Sequence, residues 1–183
     1  VGYAGGTTKS PSYHNIGDHS ESVEIDFDPS RITYRELLDI FWKGHDPARG
    51  SWSRQYRAAI FYHTEAQRLA AVETRDRVAA ETGGRIATAI EPYSGFTLAE
   101  EYHQKHSLRA YPEVMKEFRA LYPDAKSLLN ATPVTRVNGY LGGYGSCDSL
   151  RGEIESFGLS RRAQETVSSV VCGRKASVTC PVH

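Results

Sequence analysis

Ser22-Val23-Glu24-Ile25-Asp26-Phe27 alternates polar and apolar side chains and is closed by Asp28-Pro29. That period of two predicts a strand with Val23, Ile25 and Phe27 on a core face. Glu21 lies two residues before Val23 and so falls on the same face. A carboxyl there is expected to be desolvated, which raises its pKa and keeps it protonated. Read from the residues alone, Glu21 is better taken as an exposed edge-strand carboxylate. Upstream, Val1-Gly2-Tyr3-Ala4-Gly5-Gly6 supplies a glycine turn, and Pro11-Ser12-Tyr13 adds a phenol.

Downstream, Thr33 caps a helix through Trp42, with Glu36 in the capping-box position. Leu37, Leu38, Phe41 and Trp42 form its apolar face, and His45-Asp46-Pro47 closes it. A strand is predicted from Gln55 to Tyr62, and a long alanine-rich helix from Glu65 to about Glu81 ends at Gly83-Gly84. Arg85 to Ile90 reads as a third strand stopped by Pro92, and Phe96 to His106 as a loop entering a helix. Pro112 to Leu121 reads as a helix with proline in its first turn. Asn138 to Ser146 reads as an ordered glycine loop, without the Gly-Lys-Ser/Thr that a phosphate-binding loop needs. Ser149–Phe157 and Ser160–Val171 read as helices separated by Gly158.

Strand, helix, strand, helix, strand and then helices predict an α+β two-layer sandwich with a mixed or antiparallel sheet. The chain has 183 residues, enough for one domain, or a domain plus a tail. Its 22 basic and 22 acidic residues cancel, which argues against nucleic acid or a membrane surface as its main partner. No run of about eighteen apolar residues suggests a membrane span. Cys147, Cys172 and Cys180 all fall late, too few and too odd for a secreted disulfide framework, and a reducing cytoplasm is the expected compartment.

Six blocks, in order, resemble the A-type peptide methionine sulfoxide reductases. They are Val1 to Gly6, Pro11-Ser12-Tyr13, His19-Ser20-Glu21 with Val23, Phe41-Trp42 with His45-Asp46-Pro47, Gln55 to Ile60, and Phe96 with Ala99 to Gln104. The resemblance implies the family's ferredoxin-like fold over residues 1–110. No block matches beyond about Ala110. Residues 111–172 are therefore expected to form a separate helical extension, and residues 173–183 a disordered tail.

The resemblance also implies a chemistry. A cysteine thiolate attacks the sulfur of methionine S-sulfoxide, free or in proteins, and becomes a sulfenic acid. A second thiol resolves it as a disulfide, and thioredoxin reduces that. Carried over, Glu21 is the proton donor, and the hydroxyls of Tyr13 and Tyr56 bind the sulfoxide oxygen. No bound cofactor is implied. The family's Gly-Cys-Phe-Trp motif, which holds the nucleophile, does not occur here, so the sequence is expected to hold the enzyme's body without it. The family's Asn-Asp-x-Gly-Thr is replaced by a short loop with Ser51-Trp52-Ser53-Arg54, where Trp52 could form part of an apolar wall for the substrate methyl group.

Cys147, Cys172 and Cys180 are candidate resolving or redox residues. On its own, Cys147 is a surface or packed thiol. His103 and His106 have helical i, i+3 spacing but no third ligand in sight, so no metal site is expected. Two alternatives remain. One is a non-catalytic relative that binds methionine-containing or oxidised peptides. The other is a thiol enzyme that uses Cys147.

Overall fold

The computed structural model describes residues 1–174. They divide into two compact units, Val1–Glu100 and residues from Glu101 onward. The expected tail, with Cys180, lies almost wholly outside the described residues.

The first unit carries two small sheets. Strand β1 (Gly2–Ala4) lies between β2 (Ser20–Ser22) and β5 (Phe96–Leu98), antiparallel to both. Strands β3 (Ala59–Tyr62) and β4 (Ala89–Pro92) run parallel, joined by helix α2 (Glu65–Thr82). A parallel pair needs such a crossover. Helix α1 (Tyr34–Lys43) begins with the full Thr33–Glu36 capping box, so two amide donors that would be orphaned at its start are satisfied. Leu38 and Trp42 of α1, Ile60 of β3, and Ala70, Ala71 and Val78 of α2 form the core. Trp42 Nε1 donates to Thr74 Oγ1 at 3.0 Å, which lets the indole be buried without losing its hydrogen bond.

The decisive stretch departs from expectation. Strand β2 stops at Ser22, and Val23 and Ile25 are 68% and 55% exposed. Among the described residues, Val23 to Phe27 make no backbone hydrogen bond. Alternation sets which side chains would share a face, but a strand also needs a neighbour, and here none lies alongside. Strand β3 likewise starts at Ala59, which leaves Gln55 and Tyr56 in a turn. Strand β4 is displaced towards Pro92, and Phe96–Leu98 is a strand rather than a loop because β1 offers it an open edge.

The second unit is helical. It contains α3 (His106–Arg109), α4 (Pro112–Leu121), α5 (Ala125–Asn130), α6 (Thr132–Leu141), α7 (Cys147–Arg151) and α8 (Arg161–Cys172), with 3-10 turns at Glu101–His103 and Ile154–Phe157. Leu108, Val114, Phe118, Val134, Val137, Leu150 and Val167 are fully buried at its centre. The glycine loop expected from Asn138 is helix as far as Leu141. Pro133 sits in the first turn of α6, and Val134, Val137, Tyr140 and Leu141 recur at helical spacing on one buried face. Cys147 and Cys172 form a disulfide between the start of α7 and the end of α8.

Candidate active site

The loop from Gly5 to His19 positions the first phenol. Asp18 gathers it: its carboxylate accepts the backbone N–H of Thr7 and Thr8 at 2.8–2.9 Å and both threonine hydroxyls at 2.9 and 2.8 Å. These bonds favour the ionised form and hold the Asp18 pKa far below the usual carboxylate range. Gly17 turns there at φ 61°, and a Cβ would meet Thr8 at 2.1 Å, so only glycine fits. Further round the loop, the Tyr13 amide donates to Glu100 Oε1 at 3.0 Å, and Tyr3 Oη donates to Glu100 Oε2 at 2.7 Å. One carboxylate thus ties the Tyr13 turn to β1.

Glu21 stands at the middle of β2, opposite Tyr3. Its backbone N–H donates to Gln55 C=O at 2.9 Å, which brings the 55–57 turn alongside. Gln55 Nε2 then donates to Glu21 Oε1 at 2.7 Å and to Tyr56 Oη at 3.0 Å. The Tyr56 phenol has a raised pKa, first through desolvation, then through its hydrogen bond with Tyr13 and the nearby Glu21 charge. The polar ends of Tyr13, Glu21, Gln55 and Tyr56 therefore meet in one cluster.

Two expectations need correcting. Glu21 is exposed rather than buried, although the 55–57 turn lies beside its strand. It lies at the lip of a hollow of about 340 Å³ whose walls include Val23, Ile25, Phe27, Leu37, Phe41 and Phe96. Trp52 does not line that hollow. It is 86% exposed, with its ring 5.5 Å from that of Tyr56. Gln55 escaped sequence reasoning as a site residue. The sequence places it in a strand, although a polar side chain next to a phenol is a usable signal.

Cys147 and Cys172 are half-buried and bonded to each other. No group of three or more metal-ligating side chains occurs among the described residues. None of their helices is long and apolar enough to cross a membrane.

An acid, an amide and two phenols thus cluster on an α+β body, and only the acid, Glu21, borders the apolar hollow. Residues 1–131 match the peptide methionine sulfoxide reductase family, and 126–172 match the helical domain of selenoprotein methionine sulfoxide reductase A. The chain belongs to the peptide methionine sulfoxide reductase family. It is 38% identical over 165 residues to a peptide methionine sulfoxide reductase of Drosophila melanogaster, covering 87% of this chain and 65% of that one. It is 45% identical over 118 residues to the enzyme MsrA of Methanothermobacter thermautotrophicus, covering 58% of this chain and 69% of that one. The crystal structure of reduced Mxr1 from Saccharomyces cerevisiae is similar at a TM-score of 0.55 and 32% identity, covering 61% of this chain and 70% of that one. The chain thus spans just under two thirds of its fly relative. These matches run past Ala110, so the motif blocks end before the family resemblance does.

Proposed function

We propose that residues 1–183 form the body of a peptide-methionine (S)-S-oxide reductase, with Glu21 as the proton donor and Tyr13 and Tyr56 as the hydroxyls that hold the sulfoxide oxygen. The observation that carries this reading is that Gln55 bridges Glu21 and Tyr56, while Tyr13 meets the cluster through its hydrogen bond with Tyr56. A sulfoxide oxygen is a strong neutral acceptor, so phenols and a carboxylic acid suit it better than a cation would. The apolar wall of the hollow beside Glu21 suits the methyl and methylene groups on either side of the sulfur.

In the reaction, a thiolate attacks the sulfoxide sulfur while Glu21 protonates the departing oxygen. Methionine leaves reduced, and the oxygen remains on the attacking cysteine as a sulfenic acid. A second thiol displaces it as water and forms a disulfide, which a thioredoxin-type dithiol reduces. None of the three cysteines stands in the family's Gly-Cys-Phe-Trp motif, so the role of attacking thiol is given to none of them.

Equilibrium binding tests the reading. The 183-residue chain should bind the S-epimer of N-acetyl-methionine sulfoxide amide in preference to the R-epimer, and Tyr56→Phe should weaken that binding. Equal affinity for the epimers, or none for either, would remove the assignment.

A further inference from the structure

The two halves of the candidate site stand on different sheets. Glu21 belongs to the three-stranded sheet, whereas Gln55 and Tyr56 precede β3 of the two-stranded one. Glu21 and Gln55 are bonded directly, and the residues next to Glu21 and Tyr56 in sequence supply a second tie. Along the strand β2, neighbouring side chains point to opposite faces. Ser20, beside the exposed Glu21, is 1% exposed, and the Arg57 side chain, beside the exposed Tyr56, is 17% exposed.

Behind the site these two residues meet. Arg57 Nε donates to Ser20 Oγ at 2.9 Å. The rest of the guanidinium forks onto Glu91 of β4, with Nη1 to Oε1 at 2.5 Å and Nη2 to Oε2 at 2.6 Å. Ser20 Oγ in turn donates to the Arg54 carbonyl at 2.8 Å. Arg57 also lies over the Phe61 ring, 5.8 Å from its centroid. A planar fork with a third N–H at its side fits this three-way junction, and an ammonium does not.

We propose that Arg57 is a positioning residue: braced on Glu91 and bonded to Ser20, it couples the two sheets and sets where Tyr56 stands against Glu21 and Tyr13. Its consequence for catalysis rests on the sulfoxide-reducing reading, but the geometric coupling does not.

Arg57→Lys keeps the charge and loses the fork. Ser20→Ala removes the link from Arg57 to β2, together with the Ser20 bond to the Arg54 carbonyl, leaves the Arg57–Glu91 fork in place, and stands in should Arg57→Lys fail to fold. With 13Cζ-labelled tyrosine, the Tyr56 resonance is assigned by its loss in Tyr56→Phe and titrated. In either variant its midpoint should fall back towards the ordinary tyrosine value of about 10. Affinity for N-acetyl-methionine S-sulfoxide amide should drop by about three- to tenfold, the equivalent of one misplaced hydrogen bond. A lowered melting temperature with an unmoved Tyr56 midpoint would mean that Arg57 is merely structural and would overturn the proposal. If the unmodified chain binds no sulfoxide, the functional reading fails, and the Tyr56 titration alone still decides the role of Arg57.

Discussion

The Gln55 side-chain amide stands 2.7 Å from Glu21 Oε1 and gives its other hydrogen to Tyr56 Oη at 3.0 Å. One neutral group thus holds both the acid and a phenol, and by donating to Tyr56 it leaves that hydroxyl's own proton for an acceptor. Gln55→Ala should weaken sulfoxide binding by about three- to tenfold, as expected for one lost hydrogen bond. Unchanged affinity in a calorimetric titration would make the amide a bystander.

Glu21 is assigned two tasks that substitution can separate. Glu21→Gln keeps a hydrogen-bond donor for the sulfoxide oxygen but cannot release a proton. In the enzyme that carries the thiol, it should retain affinity while turnover falls by about 10²- to 10⁴-fold, the usual contribution of a positioned acid. Glu21→Ala should lose both. Equal turnover in Glu21→Gln and the unmodified enzyme would remove the proton-donor role.

Asp18 predicts a pH dependence for the loop that carries Tyr13. Its folded pKa lies below that of an unfolded aspartate, about 3.9. Its contribution to loop order is therefore complete above that value and is lost as the pH falls through the lower, folded one. Exchange of the Thr7 and Thr8 amide protons should be slow at neutral pH and accelerate, relative to the intrinsic rate, only in strong acid. Asp18→Asn should show fast exchange at every pH.

The Cys147–Cys172 disulfide closes a loop with a sequence separation of 25 in the helical unit. Loop-closure entropy gives it a stabilisation of about 3.5 kcal/mol. Urea unfolding followed by far-ultraviolet circular dichroism should show that loss on treatment with dithiothreitol, and Cys147→Ser should reproduce it without reductant. An identical midpoint with and without reductant would contradict this.

Local signals in the sequence carried far. Thr33 with Glu36, Gly83 after α2 and Pro112 at the start of α4 each mark a helix end by chemistry that acts within a few residues, and each stands where it was read. Non-local facts were not legible. Alternation in Val23 to Phe27 cannot show whether a partner strand is present, and Phe96–Leu98 becomes a strand only because β1 has an edge to offer. The site divides in the same way. Tyr13, Glu21 and Tyr56 take their roles from motif blocks, whereas Gln55 and Arg57, which share the block of Tyr56, take theirs from contacts made when two sheets are brought together. The pairing of Cys147 with Cys172 depends on how α7 meets α8, and spacing alone does not encode that.

The bare run after Ser22 has a practical consequence at the bench. Branched side chains facing water along an unpaired edge invite copies to stick together, and a formal net charge of zero supplies no repulsion to keep them apart. Concentrated stocks of the 183-residue polypeptide should turn cloudy on standing. Val23→Lys with Ile25→Lys should keep them clear.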